Sequence, residues 1–194
     1  PEAAGEFWQT NVQGTRTLLR ATTDPGLHKR PRKFIHMSTD EVFGELPLDG
    51  DSKFYRGMDL SPRQIYSITK AEAQLIAHGW NWQRVDEGDP YEHGHVEDPI
   101  TCVINCVNVV GPYQFPEKFI PLSITNVLEG KPIRVYGDGI NVREWIHTKD
   151  LCKGFEAVIE KGRVGIESEF GYDAFLPDKE FKNHRSIGGV QYLF

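Results

Sequence analysis

Residues Phe34 to Gly44 limit what this chain can fold into more than any other stretch. Phe34, Ile35 and Met37 are apolar, and Ser38-Thr39-Asp40-Glu41 follows at once. An apolar run that stops on hydroxyls and acids reads as a buried strand ending at a polar edge. Open parallel sheets put their ligand crevices at the carboxyl ends of strands, where Ser38, Thr39, Asp40 and Glu41 would sit. A second run, Ile100 to Asn108, is largely apolar and β-branched and reads as another buried strand. It too carries polar groups at its carboxyl end, Asn105 and Asn108. Between the two, Tyr66 to Arg84 holds Ala71, Ala73, Leu75, Ile76 and Trp80 in a helical pattern.

That helix opens on Tyr66-Ser67-Ile68-Thr69-Lys70. A spacing of four puts phenol and ammonium on one helix face. A cation beside the phenol favours tyrosinate and would lower its pKa from about 10, giving a base usable near neutral pH. A Tyr-x-x-x-Lys pair alone arises by chance in many soluble chains, and an Asp-Glu pair is usually a solvated turn. A strand-end Ser-Thr-Asp-Glu followed by Tyr-x-x-x-Lys is a much narrower pattern.

Composition bounds the alternatives. The chain has 194 residues, 39% of them hydrophobic, enough for one domain with a sizeable core. No apolar run approaches the roughly 20 residues that cross a bilayer, and no signal-peptide pattern opens the chain, so no membrane partner is expected. A net charge of −6 argues against a nucleic-acid groove as the main role. Cys102, Cys106 and Cys152 are odd in number and lack metal spacing. Two of them lie in the second apolar run, so reduced thiols and a cytoplasmic location are expected.

The motifs resemble those of a known family. Ser38-Thr39-Asp40-Glu41-Val42-Phe43-Gly44, Tyr66-Ser67-Ile68-Thr69-Lys70, Gly111-Pro112-Tyr113-Gln114-Phe115-Pro116-Glu117-Lys118-Phe119-Ile120-Pro121 and Arg143-Glu144-Trp145 are similar to segments of the extended short-chain dehydrogenase/reductases. Within that NAD-dependent epimerase/dehydratase family they most resemble the nucleotide-sugar 4,6-dehydratases, typified by the one that acts on dTDP-glucose. The likeness runs from about Asn11 to Gly162. It implies an α/β fold, a Rossmann-like parallel sheet flanked by helices, with part of a small C-terminal substrate domain. No Gly-x-x-Gly-x-x-Gly turn occurs before Lys33, so the first nucleotide-binding strands are expected to be missing. Under the resemblance residues 1–112 are a partial dinucleotide-binding domain, and 113–194 mix substrate-binding elements with remaining sheet and helix. The chain reads as a partial sequence, truncated at both ends relative to the family.

Taken in order, Ala3 to Thr22 reads as a helix, with Trp8, Val12, Thr15 and Leu19 on one face. Thr10 matches a family residue near the cofactor, although a polar helix residue without a ligand is the simpler reading. Asp24-Pro25-Gly26 breaks the helix. In the family the helices matching 3–22 and 66–84 pair with their copies, which implies a homodimer. Ser61-Pro62-Arg63 stands where the family carries a proline-serine-proline run. Residues 85–99 interrupt the resemblance as an acidic insertion; from Arg84 to Pro99 there is one basic residue against six acids. His93 and His95 beside Glu92, Glu97 and Asp98 could sketch a metal set, but with nothing to hold such ligands in place they read as an acidic loop, and no metal is expected.

Asn108 matches a family contact to the sugar nucleotide, and Val109 stands where a second asparagine is common. Phe115 to Leu128 is expected to be a helix, with Lys118 beside its start, suited to a diphosphate. Pro132 to Gly137 reads as a short strand and Asp138-Gly139 as a turn. Arg143 matches the family's second diphosphate ligand, where a planar fork gives bidentate contact that a lysine could not. A plain surface lysine is the competing role for Lys118, and a surface ion pair that for Arg143. Thr148 or Asp150 could cap the next helix, which carries Leu151, Phe155, Val158 and Ile159. Beyond Gly162 the likeness frays: Gly165 to Arg185 holds no clean period, and Ser186-Ile187-Gly188-Gly189 resembles the family's next strand and turn, displaced as if by an insertion.

The resemblance implies a reaction in which NAD is regenerated within each turnover. Tyr66, activated by Lys70 and held near Thr39, takes the sugar O4 proton as hydride leaves C4. Glu41 removes the acidified C5 proton, Asp40 protonates the departing C6 hydroxyl, and hydride returns to C6. Adjacent carboxyls with opposite tasks need different pKa values. Substrate contacts fall to Thr39, Asn108, Lys118 and Arg143, cofactor contacts to Thr10, Tyr66 and Lys70. Thymidine and uridine nucleotides both stay open. An epimerase or decarboxylase of the same superfamily is the competing enzyme, and the Asp-Glu pair is what an epimerase lacks. A catalytically silent fragment that binds or dimerises is the reading from another class.

Overall fold

Why the two apolar runs become neighbours is visible in their register. The computed structural model describes residues 2–46, 52–54, 58–82, 99–135, 137–161, 165–166, 187–188 and 190–193. Helix α1 (Glu2–Phe7) continues through a π-helical turn (Trp8–Gln13) into α2 (Gly14–Thr22), followed by β1 (Lys33–Thr39) and a 3-10 turn (Asp40–Phe43). Then come α3 (Ile65–Trp82), β2 (Ile100–Cys106), β3 (Asn108–Val110), α4 (Phe119–Leu128) and β4 (Trp145–His147). Helix α5 (Thr148–Lys161) precedes β5 (Gly165–Ile166), β6 (Ile187–Gly188) and β7 (Val190–Leu193). The acidic stretch 85–98, with its His-Glu-Asp set, and residues 167–186 lie outside the described residues.

The chain divides into two units, residues 1–106 with 157–194, and residues 107–156. In the first, β1 and β2 run parallel, with Lys33 opposite Ile100 through to Thr39 opposite Cys106. Strand β7 lies parallel on the other side of β2, so the order is β1-β2-β7. This is the α/β architecture expected from the sequence. Strand β2 is central and its side chains from Thr101 to Cys106 are buried on both faces, as a parallel sheet covered by helices demands. Helix α3 packs against β1 and β2 through a face of small residues, Ala73 and Ala77, both wholly buried. Thr101 Oγ1 donates to the Ala77 carbonyl at 2.6 Å and satisfies a hydroxyl in that interface. Lys33 places its ammonium on the carbonyls of Val158 and Ile159 in the last turn of α5, where a cation suits the helix dipole.

The expected helix 3–22 is continuous but widens in its middle, where the Gly14 N–H bonds to the Gln9 carbonyl five residues back. Such π turns concentrate at functional sites. This one packs on α3, and Asn11 Nδ2 reaches Thr69 Oγ1 at 2.9 Å.

In the second unit, β3 pairs in parallel with β4, Asn108 opposite Trp145 and Val110 opposite His147. The single strand expected over Ile100–Asn108 therefore splits at Val107, and its end belongs to a different sheet. Gly111 follows β3 because a Cβ there would lie 2.4 Å from Thr148 Oγ1. Helix α4 begins at Phe119 rather than Phe115; Pro121 falls in its first turn, where a missing N–H costs nothing. Pro132 to Val135 form no strand among the described residues: Ile133 and Val135 stay exposed, so no apolar face holds them to a sheet. At the start of α5 it is His147 Nδ1, rather than Thr148 or Asp150, that accepts the Lys149 N–H, at 3.2 Å.

Candidate active site

Thr39 is the last residue of β1 and sits at the cap of the 3-10 turn that carries Asp40 and Glu41. Its hydroxyl donates to Asp40 Oδ1 at 3.0 Å and accepts the Glu41 N–H at 3.4 Å. The two carboxylates thus leave the strand on a fixed turn, Asp40 half-buried and Glu41 exposed. Behind them Val42 and Phe43 are buried against Ala71 of α3, with Phe54, Met58 and Leu60 around them. That packing anchors the acid turn to the helix of Tyr66 and Lys70.

Tyr66 stands in the first turn of α3, partly exposed, with the Phe7 ring edge-on at a centroid distance of 5.7 Å. Its pKa is raised, first by burial, then by the charges of Glu41 and Asp40. Lys70 lies one turn on, and its ammonium donates to the main-chain carbonyl of Met37 in β1. Burial lowers the lysine's own pKa. Two sequence expectations are corrected here. The phenol's proton is held by burial and then by the charges of Glu41 and Asp40, rather than released by the lysine, whose ammonium donates to the strand. Thr39 spends its hydroxyl on Asp40 and the Glu41 amide rather than on Tyr66. Even so, Thr39, Asp40, Glu41, Tyr66 and Lys70 form one cluster at the carboxyl end of β1.

A phenol and an ammonium at the carboxyl end of a parallel strand are the donors that a ribose diol takes, so this set fits a nicotinamide nucleotide. Thr10 is exposed in the π turn that packs on α3. Deeper in, His36 is buried, its pKa lowered to about 4, first by burial and then by Lys70 and His78. Its Nε2 and the Ser38 hydroxyl, two residues on along the same strand face, have no hydrogen-bond partner among the described residues.

The other predicted ligands belong to the second unit. Asn108 Nδ2 donates to the Glu144 carbonyl at 3.4 Å, which ties β3 to the loop before β4. Lys118 is the cap residue of α4, exposed and paired with Glu117 at 3.2 Å. Arg143 is exposed and donates to the Val142 carbonyl at 2.9 Å. Val109 contributes its carbonyl to Gln114 Nε2 at 2.9 Å.

A family model described as the NAD dependent epimerase/dehydratase family matches residues 1–170. The chain belongs to that family. It is 38% identical over 169 residues to a dTDP-glucose 4,6-dehydratase of Xanthomonas campestris, covering 84% of this chain and 44% of that protein. Among solved structures it is similar to dTDP-glucose 4,6-dehydratase of Bacillus anthracis in complex with NAD, with a TM-score of 0.68 and 39% identity over 81% of this chain and 45% of that one. It is also similar to UDP-glucuronic acid 4-epimerase of Bacillus cereus in complex with UDP-glucuronic acid and NAD, at 25% identity and a TM-score of 0.63, covering 80% and 43%. The chain spans about half the length of the curated relatives it matches. The family read from the motifs is the family that matches.

Sequence reasoning put Asn105 among the polar groups at its strand's carboxyl end but gave it no role, and it passed over Gln74 and Asn11. Asn105 donates to the Thr39 carbonyl and to Gln74, and Asn11 supports the Thr69 hydroxyl next to Lys70. The available signal was an amide inside an apolar run, since a buried amide needs partners.

Proposed function

We propose that this chain carries the acid-base machinery of a nucleotide-sugar 4,6-dehydratase, converting a dTDP-hexose such as dTDP-glucose to its 4-keto-6-deoxy form. The observation that carries it is the Asp40-Glu41 turn at the end of β1, packed through Val42 and Phe43 on Ala71 of the helix that carries Tyr66 and Lys70. NAD, when bound, supplies a two-electron acceptor restored within the turnover and, oxidised, a positive ring charge.

Tyr66 holds its proton in the unliganded protein, so it works as a base at O4 only once added positive charge opposes Glu41 and Asp40. Glu41, exposed at the turn, takes the proton from C5 and would return one there once C6 is reduced. Asp40, its rotamer fixed by the Thr39 hydroxyl, returns a proton to the C6 oxygen, which leaves as water. Lys70, anchored on Met37, keeps donors for a ribose, and Thr10 lies beside the same helix. In the second unit, Asn108, Lys118 and Arg143 are assigned to the sugar nucleotide, the two cations to its diphosphate.

The relatives' names support the assignment, and two of them match over most of this chain. Phe7, Trp8, Leu18, Ile68 and Leu75 stay exposed on α1 to α3, an apolar surface that suits a second copy in a homodimer. The three free cysteines agree with a cytoplasmic protein. No helix among the described residues is long and apolar enough to cross a membrane.

The test is product mass from purified protein with NAD and dTDP-glucose. Loss of one water, abolished in Tyr66→Phe and Glu41→Gln by about 100-fold or more, supports the dehydratase. An isomer of unchanged mass assigns an epimerase instead, and full activity in either variant overturns the site.

A further inference from the structure

Asn105 sits where an amide is least expected. It is 1% exposed in the central strand β2, between Ile104 and Cys106. Its Nδ2 donates to the Thr39 carbonyl at 2.9 Å and to Gln74 Oε1 at 2.8 Å. Both N–H groups of one nitrogen are therefore used, on partners 66 and 31 residues away in the chain.

The partners give the bond its meaning. The Thr39 carbonyl is the last of β1, in the peptide that leads into Asp40. Gln74 is 2% exposed on α3, one turn past Lys70 and two past Tyr66. One nitrogen thus joins the origin of the acid turn to the helix that carries the phenol and the ammonium. The geometry asks for two N–H groups on a planar nitrogen, which a primary amide supplies and an aspartate or leucine does not. Buried in a close-packed interface, such a tie has no room to slide and no water to replace it.

We propose that Asn105 is a positioning residue whose amide sets the separation between the Asp40-Glu41 carboxylates and the Tyr66 phenol. This rests on the dehydratase reading for its purpose, though not for its geometry. The charged groups bearing on the phenol are Glu41 and Asp40 from the turn; Lys70, on its own helix, donates to the Met37 carbonyl, and from α1 the Phe7 ring lies edge-on to the phenol. Loosening the tie lets the acid turn drift into solvent and weakens the hold of its carboxylates on the phenol proton.

The experiment titrates Tyr66 by its tyrosinate absorbance, as the difference between each protein and the same protein carrying Tyr66→Phe. Asn105→Leu should move the Tyr66 midpoint down towards the ordinary 10.0, with the circular dichroism of the fold unchanged. Gln74→Met, which removes only the helix end of the tie, should move it the same way by less. An unmoved midpoint in a folded Asn105→Leu protein overturns the proposal. Where Asn105→Leu does not fold, Gln74→Met decides, and an unmoved midpoint there is equally fatal. Because no turnover is measured, a shifted midpoint in a protein that makes no dehydrated sugar leaves the positioning role standing and removes the dehydratase.

Discussion

Lys70 gives its ammonium to the main-chain carbonyl of Met37, across the interface between helix α3 and strand β1. That bond decides the electrostatics at Tyr66. With the cation held against the strand, burial and the carboxylates of Glu41 and Asp40 set the phenol's proton affinity, and all three raise it. Removing either negative charge should therefore be easy to detect. Glu41→Gln and Asp40→Asn should each lower the Tyr66 midpoint, Glu41→Gln the more, in a tyrosinate difference titration against Tyr66→Phe. The folded protein keeps the phenol proton to a higher pH than the unfolded chain. Its stabilising contribution is complete below 10.0 and is lost as the pH rises through the folded value. A midpoint that rises in Glu41→Gln would show that the carboxylate does not face the phenol.

His36 gives the opposite linkage. The unfolded chain takes up a proton there near 6.5, the folded protein only at about 4, so its contribution is full above pH 6.5 and fades as the pH falls through that window. The gap is worth roughly 3 kcal/mol between the ends of the window. Urea denaturation of the wild type should lose more stability between pH 7 and pH 5 than His36→Phe does, and equal losses in both would contradict it. Lys70→Met should also raise the His36 midpoint followed by NMR, since the ammonium opposes its protonation.

How much of this was legible in the sequence depends on the range over which each feature is decided. Strand β1 and helix α3 could be read because apolar spacing is local and the Tyr66–Lys70 offset is fixed by helix geometry. The break at Val107 could not, because it depends on Asn108 pairing with Trp145 far along the chain. The sign at Tyr66 escaped for the same reason: spacing puts Lys70 near the phenol, but only the packed sheet offers its ammonium the Met37 carbonyl. Asn105 is legible as a polar group at its strand's carboxyl end, but its two partners, 66 and 31 residues away, are not. The start of α4 escapes a local reading because the run from Phe115 carries prolines, and Pro121 fits only the first turn of a helix.

Gly44 ends the acid turn at φ 83° and ψ −146°, a conformation open to glycine alone. A Cβ there would lie 2.7 Å from the Ser61 carbonyl, and the Ser61 N–H is bonded to the Val42 carbonyl at 2.9 Å. Gly44→Ala should cost about 1–3 kcal/mol in chemical denaturation. It should also shift the tyrosinate midpoint of Tyr66, because the turn that moves carries the carboxylates. A neutral substitution would mean the loop relaxes without the turn.

Cys102 and Cys106 are buried, and burial pushes both thiols up to about 11, whereas Cys152 is exposed. The thiolate is the reactive form. A chromogenic disulfide reagent at mildly alkaline pH should titrate Cys152 quickly and the other two only after denaturation. Rapid reaction of all three would mean that β2 is not the buried centre of its sheet.

Thr39 joins capping to chemistry. Its hydroxyl accepts the Glu41 N–H and donates to Asp40, so one oxygen starts the 3-10 turn and orients the carboxylate assigned to the leaving hydroxyl. Thr39→Val keeps the shape and removes both bonds; losing a cap of this kind costs about 1 kcal/mol. Stability alone does not separate the two roles, since any lost cap would show it. Activity does, through the serine variant. Thr39→Ser keeps the hydroxyl and should restore sugar dehydration close to the wild-type rate, whereas Thr39→Val should lower kcat by about tenfold or more with KM little changed. A serine variant as slow as valine would place the requirement on the methyl group and its packing, and would detach Asp40's orientation from the hydroxyl.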